Sequence, residues 1–256
     1  MIDQERLVNT FLELVRIDSP SGQEAEIGQH LQARLGALGL ETEMDAVGNL
    51  VGRTPTGSVQ TQGDWLLLSA HMDTVGADRG ISPVIRDSVI YSDGATILGA
   101  DDKSGVAAVL EVLTALRQHG QHHPPLEVVI TVGEELGLYG ARHLDTSRLK
   151  SRHGIVLDAG GPTGHFVVSA PSQDSLAFTI HGLAAHAGSE PEKGVNAIRV
   201  AAEAIAAMPM GRIDPETTCN IGLIEGGTAR NIVAERVKVI GEARSRDNGK
   251  LEVLTA

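Results

Sequence analysis

The chain has 256 residues, and 21 Lys and Arg against 33 Asp and Glu leave a formal charge of −12. With 41% hydrophobic residues it can bury a core, which argues against wholesale disorder. The acidic balance and the 2% of aromatics argue against a non-specific nucleic-acid binder, a protein held on anionic lipid and a base-stacking platform. The single cysteine, Cys219, can form neither an internal disulfide nor a thiolate metal site, and reads as a small buried apolar residue. Met1–Glu5 lacks a basic segment leading into an apolar one, and no apolar run reaches membrane-spanning length. The expectation is a soluble, cytoplasmic protein with no membrane partner.

Asp3 is placed to cap a first helix with Leu7, Phe11, Leu14 and Val15 on one stripe. Ser19-Pro20-Ser21-Gly22 ends it. Ser21 and Glu24 then form a capping-box pattern for a second helix, with Ile27, Leu31, Leu35 and Leu38 on its apolar face and Gly39 as its stop. Leu40 to Arg53 reads as a hairpin turning near Val47-Gly48-Asn49. Short apolar runs then alternate with helical patterns, as in parallel βα units: Trp65–Ala70, a helix from Ser104 to Leu116, Leu126–Val132 and Gly154–Leu157. After about Pro171 the pattern becomes β-α-β-β. A strand over Leu176–Ile180 and a helix over Val195–Met208, with Ile198, Ala202, Ile205 and Met208 as its apolar side, precede strands at Asn220–Ile224 and Ile232–Gly241.

The acids and the first of the motif histidines fall at the ends of apolar runs. His71 and Asp73 follow Leu66–Ala70, Asp101 and Asp102 follow Ile97–Ala100, Glu134 and Glu135 follow Val128–Val132, and Asp158 ends Ile155–Leu157. In an open parallel sheet, functional groups gather beyond the carboxyl ends of the strands. Taken singly, each acid is more readily a solvated loop residue or a helix cap than a ligand, and His71 could be a satisfied core histidine. Taken together, carboxylates converging on one crevice repel one another unless a cation neutralises them. A His and Asp/Glu set without thiolates suits zinc or a similar ion, and this ligand count fits two metals better than one. A phosphate loop is excluded, because Asp102 stands where Gly would have to precede Lys103-Ser104.

The segments His71-Met72-Asp73-Thr74-Val75, Gly99 to Gly105 (GADDKSG), Gly133 to Gly137 (GEELG), the strand-terminal Asp158, Gly182 to Gly188 (GLAAHAG) and Glu225 to Ile232 (EGGTARNI) occur in that order. Together they resemble the co-catalytic zinc exopeptidases, the family that includes peptidase T, glutamate carboxypeptidase, aminoacylase and succinyl-diaminopimelate desuccinylase. GADDKSG, EELGLYGA and the Ser19–Gly22 opening are most similar to the peptidase T branch. The resemblance implies a mixed, mostly parallel α/β sheet flanked by helices, carrying a catalytic domain over residues 1–172 and a smaller α+β lid and dimerisation domain over 173–256. It implies His71, Asp101, Glu135 and Asp158 as metal ligands, with Asp101 bridging two zinc ions and followed by a cis peptide. It also implies Asp73 as the carboxylate fixing the His71 imidazole, and Glu134 as the general base acting on a metal-bridging water. His186 is implied as the oxyanion-stabilising lid histidine, with Asn231 and Arg244 holding the substrate's carboxylate or tetrahedral oxygen. The implied activity is hydrolysis of short peptides by a homodimer, with an N-acyl amino acid deacylase or a non-catalytic metal-binding fragment as alternatives. The family's remaining zinc ligand is a histidine near the C-terminus, and no histidine follows His186 here. A truncated chain with a weakened second metal position, involving Glu135, and little peptidase activity is therefore expected.

Overall fold

The computed structural model describes residues 1–55 and 63–256. They form two compact units, Met1–Thr163 and Gly164–Ala256.

The first unit opens with α1 (Gln4–Val15), and Asp3 caps it by accepting the Arg6 N–H at 3.0 Å. Phe11, Leu14 and Val15 are buried and Leu7 packs against them. Next comes α2 (Ala25–Ala37), which buries Ile27, Leu31 and Leu35 and is followed by Gly39 in the left-handed region. The expected capping box is absent. Glu24 sits at the N-cap without a side-chain cap bond, because its carboxylate and the Ser21 hydroxyl are both engaged elsewhere in the unit.

The hairpin β1 (Glu41–Met44) and β2 (Leu50–Arg53) leads to β3 (Leu66–His71), and a short second hairpin follows, β4 (Val84–Arg86) with β5 (Val89–Tyr91). Ile97–Ala100, expected to be a strand from its apolar run, is not one. Instead α3 (Ala100–His119) begins there, with Asp101 and Asp102 still in non-helical backbone. After α3 come β6 (Leu126–Thr131), the single-turn α4 (Tyr139–His143) and β7 (His153–Val156). The sheet order is β1-β2-β6-β3-β7. β6, β3 and β7 run parallel, and the antiparallel β2 links them to β1. All but one of the five strands thus point the same way, as expected of a mostly parallel sheet.

Val106, Leu110 and Leu113 of α3 join the α1 and α2 stripes and Leu68, Val128 and Ile130 of the sheet in one core. β6 is buried along its whole length, the mark of a parallel strand covered on both faces. Among the described residues β7 pairs only with β3, and it is exposed throughout. Beneath the sheet, fully buried Glu127 receives the Arg53 guanidinium at 2.7 Å and the N–H groups of Lys150 and Ser151, which anchors the entry to β7.

The second unit is an antiparallel sheet in the order β8 (Ser172–His181), β11 (Arg236–Ser245), β10 (Thr217–Gly226), β9 (Gly211–Asp214), with α5 (Ala197–Ala207) and α6 (Asn248–Thr255). Leu176, Phe178 and Ile180 of β8 and Val237, Val239 and Ala243 of β11 alternate along their strands, so both helices cover one face. The apolar side expected for α5 is corrected in part. Ala197 and Ala201 are buried and Ile205 packs beside them, whereas Ile198 remains 46% exposed. The last strand begins at Arg236 rather than Ile232. Cys219 is buried as expected, between Ala243 and Leu251. Among the described residues no helix is long and apolar enough to cross a membrane.

Candidate metal centre

His71 is the last residue of β3 and Asp73 lies two residues on; both are buried. The two side chains meet at 3.2 Å, Nδ1 to Oδ1. Asp73 also accepts the Ser21 hydroxyl at 2.7 Å and the backbone N–H groups of Glu134 and Glu135 at 3.0 and 3.2 Å. Burial alone would raise the Asp73 pKa, but these donors outweigh it and hold the carboxyl at about 2. The resulting anion keeps a proton on His71 Nδ1 and leaves Nε2 facing the opposite way.

That second nitrogen looks into a ring of acids. Asp101 Oδ1 lies 3.1 Å from it and Asp158 Oδ1 lies 3.8 Å from it. Donor atoms of His71, Asp101 and Asp158 all fall within 4.8 Å of one another, and so do those of His71, Glu134 and Glu135. The five residues come from the ends of β3, β6 and β7 and from the first turn of α3. Asp101 therefore reaches the rim from a helix start rather than a strand end. The Asp101–Asp102 peptide is cis, as the family resemblance implies.

The electrostatics of this ring call for a cation. Burial tends to keep the His71 imidazole neutral, yet the hydrogen bond and charge of Asp73, the hydrogen bond to Asp101 and the charge of Asp158 together raise its pKa to about 9. Burial and Asp101 push Asp158 up to about 6, and burial, Glu134 and Asp101 raise Glu135. A divalent ion facing Nε2 would relieve this repulsion, and the imidazole and carboxylate donors fit zinc or a neighbouring transition metal.

Some supporting groups were not foreseen. Ser21 fits a helix cap by its spacing, but its hydroxyl pairs with Asp73, 52 positions away. Lys103 is fully buried, and its ammonium donates to the Met72 carbonyl at 2.9 Å and to the Ser19 hydroxyl. Burial lowers its pKa to about 7, against the pull of Asp73, Glu24 and Asp18. Its place on the Val106–Leu110 stripe, at i−3 and i−7, was the sequence signal for its burial. Asp102 is also buried. One oxygen accepts the Gly105 N–H at 3.0 Å and the other meets no partner among the described residues, while burial and Asp158 push its carboxyl up to about 7.

In the second unit, the segments carrying His186 and Asn231 pair with each other. His186 bridges to Ile232, the Ala187 N–H donates to the Asn231 carbonyl, and His186 Nδ1 accepts the Gly188 and Ser189 N–H groups. Arg244 is not with them. It lies near the far end of β11, opposite Gln173 and Thr218, and its guanidinium is forked onto Glu242 with two contacts of 2.9 Å.

A two-unit architecture with an acid-and-imidazole cluster beyond the carboxyl ends of parallel strands is that of a metal-dependent exopeptidase. Residues 49–202 match Peptidase family M28 and residues 172–256 match the Peptidase dimerisation domain, and the chain belongs to this M20/M28 type of exopeptidase. It is 45% identical to YqjE of Bacillus subtilis (strain 168), over 98% of this chain and 69% of that one. The fold is similar to aminopeptidase PepT from Bacillus cereus ATCC 10987, with a TM-score of 0.91 and 47% identity over 99% of this chain and 69% of that one. It is also similar to a tripeptidase from Staphylococcus aureus subsp. aureus mu50, with a TM-score of 0.94 and 43% identity over 100% and 70%. The chain thus spans about seven-tenths of the length of these relatives.

Proposed function

We propose that the chain acts in an aminopeptidase of the tripeptidase type, which hydrolyses amide bonds of short peptides. The observation that carries this reading is the meeting of His71, Asp101, Glu134, Glu135 and Asp158 at one rim, with His71 common to both donor sets. His71 and Asp158 would hold one zinc ion, Glu135 a second, and Asp101 both. When bound, the metal supplies Lewis-acid polarisation of the scissile carbonyl and lowers the pKa of water. Glu134 is the general base. It takes one proton from the attacking water as oxygen bonds to the carbonyl carbon, and returns it to the departing amine as the C–N bond breaks. Asp73 orients His71 and, through the Glu134 and Glu135 N–H groups, the acidic pair as well.

In this reading His186 stabilises the developing oxyanion, and Asn231 and Arg244 hold the substrate's carboxylate or tetrahedral oxygen. For Arg244 this requires release from Glu242. The match to a dimerisation domain supports self-association as a homodimer through the second unit.

The test is hydrolysis of a tripeptide and of an N-acyl amino acid on one sample, with metal content by elemental analysis. Slow cleavage of the tripeptide, lost with a chelator and restored by zinc, is the expected result; brisk cleavage would overturn the expectation that the second metal position is weakened. Cleavage of the acyl amino acid alone would move the assignment to a deacylase. One equivalent of metal would match the His71–Asp158 position alone, and two would mean that this chain fills both. Glu134→Gln should keep the metal and lose turnover.

A further inference from the structure

Four successive backbone N–H groups lead into the Glu134–Glu135 pair, and each is received by a side chain from a distant part of the first unit. Val132 donates to Asn49 Oδ1 at 3.2 Å and Gly133 to Glu24 Oε1 at 3.0 Å. Glu134 and Glu135 donate to the two oxygens of Asp73. Asn49 is fully buried, and its amide nitrogen donates to Asp45 at 2.7 Å and to the Gly140 carbonyl at 2.9 Å. Glu24 is 7% exposed and receives the Gly22 N–H on the same oxygen at 2.9 Å.

The loop these bonds hold is short and tight. Glu134–Leu136 is a single 3-10 turn flanked by Gly133 and Gly137, both in the left-handed region, so no regular helix stiffens it. It closes on itself through Tyr139 N–H to the Gly133 carbonyl and Gly140 N–H to the Val132 carbonyl, both at 2.9 Å. A Cβ on Gly140 would come within 2.3 Å of Asn49 Oδ1, so the amide and the loop backbone are in close contact. Two adjacent carboxylates on such a turn repel each other and the acids across the rim. Their direction is set by where the backbone is tied.

We propose that Glu24 and Asn49 are positioning residues of the metal centre: by receiving the N–H groups of Gly133 and Val132 they fix the direction in which Glu134 and Glu135 face His71. This rests on the reading of Glu135 as a metal ligand and Glu134 as the base. Neither Glu24 nor Asn49 is a ligand in it. A bond from an N–H to an ionised carboxylate is about twice as strong as a neutral one, which suits Glu24 to the task. Groups that orient metal ligands typically carry about 10–100-fold in metal affinity.

The experiment is cobalt(II) binding by the full chain, measured by competition with a chromogenic chelator and by the visible cobalt spectrum, beside thermal unfolding without metal. Glu24→Ala should weaken cobalt binding about 10–100-fold and alter the spectrum. Glu24→Gln keeps an oxygen at the same place and should recover most of the affinity. If Glu24→Ala lowers the unfolding temperature while cobalt affinity and spectrum stay unchanged, the role is in folding alone and the proposal is overturned. Should Glu24→Ala fail to fold, Glu24→Asp withdraws the oxygen by one methylene and reads the same geometry; unchanged binding there also overturns it. Glu135→Gln separates the two levels. Cobalt binding indifferent to Glu135→Gln sinks the ligand reading itself, whereas sensitivity to Glu135→Gln without sensitivity at Glu24 sinks only the positioning role.

Discussion

The Ser21 hydroxyl donates to Asp73 at 2.7 Å, which ties the loop after α1 to the carboxylate that orients His71. Ser21→Ala removes one of four donors to Asp73 and leaves the other three. A bond to a charged acceptor is worth about 1.5–3 kcal/mol, and this one is only partly buried, so stability should fall by about 1–2 kcal/mol. Urea unfolding checks this, and unchanged stability would mean that water replaces the hydroxyl.

Asp73→Asn should act more strongly on function than on fold. The amide keeps one acceptor oxygen but loses the charge that holds the proton on His71 Nδ1, and its nitrogen faces a backbone N–H. Zinc affinity should drop about 10–100-fold, read by competition with a chelator.

Gly105 in α3 has no room for a side chain. A Cβ there would lie 2.4 Å from Asp102 Oδ1 and 2.7 Å from the Leu157 carbonyl, both of them one residue from a rim acid. Gly105→Ala should cost about 1–3 kcal/mol as an overpacked site and weaken metal binding by displacing Asp101 or Asp158. Thermal unfolding and zinc titration of the same sample separate the two effects.

Glu127 gives a pH prediction away from the metal centre. Burial raises its pKa, but bonds from Ser151, Arg53 and Lys150 outweigh this and hold it below its ordinary value. A group lowered on folding contributes stability that is fully present above the unfolded value, about 4.3, and is lost as the pH falls through the folded value. The native chain should therefore lose more stability between about pH 5 and pH 3 than Glu127→Gln does. Parallel slopes in urea unfolding across that range would refute this.

The rim residues were legible because they follow apolar runs at motif spacing. His71, Glu134–Glu135 and Asp158 follow adjacent parallel strands, so residues far apart in sequence reach one edge of the sheet. The supports were not legible, because their partners are remote. Glu24 meets Gly133, 109 positions away, while with Ser21 it mimics a local capping box. Ile97–Ala100 has the composition of a strand but contributes the turn into α3, and apolar content alone does not separate the two. In α5 the bulky Ile198 drew the expected stripe, yet the small Ala197 and Ala201 let the helix approach Val237 and Val239 closely.

β7 bonds to β3 on one side, and among the described residues its other edge meets no strand, with Ile155 and Val156 41% and 62% exposed. A bare ladder beside apolar side chains is a template for any extended chain that drifts near. Handled alone at high concentration, this polypeptide should therefore self-associate by strand addition at β7, and Val156→Lys should suppress it, giving a solubility handle far cheaper than redesigning the core.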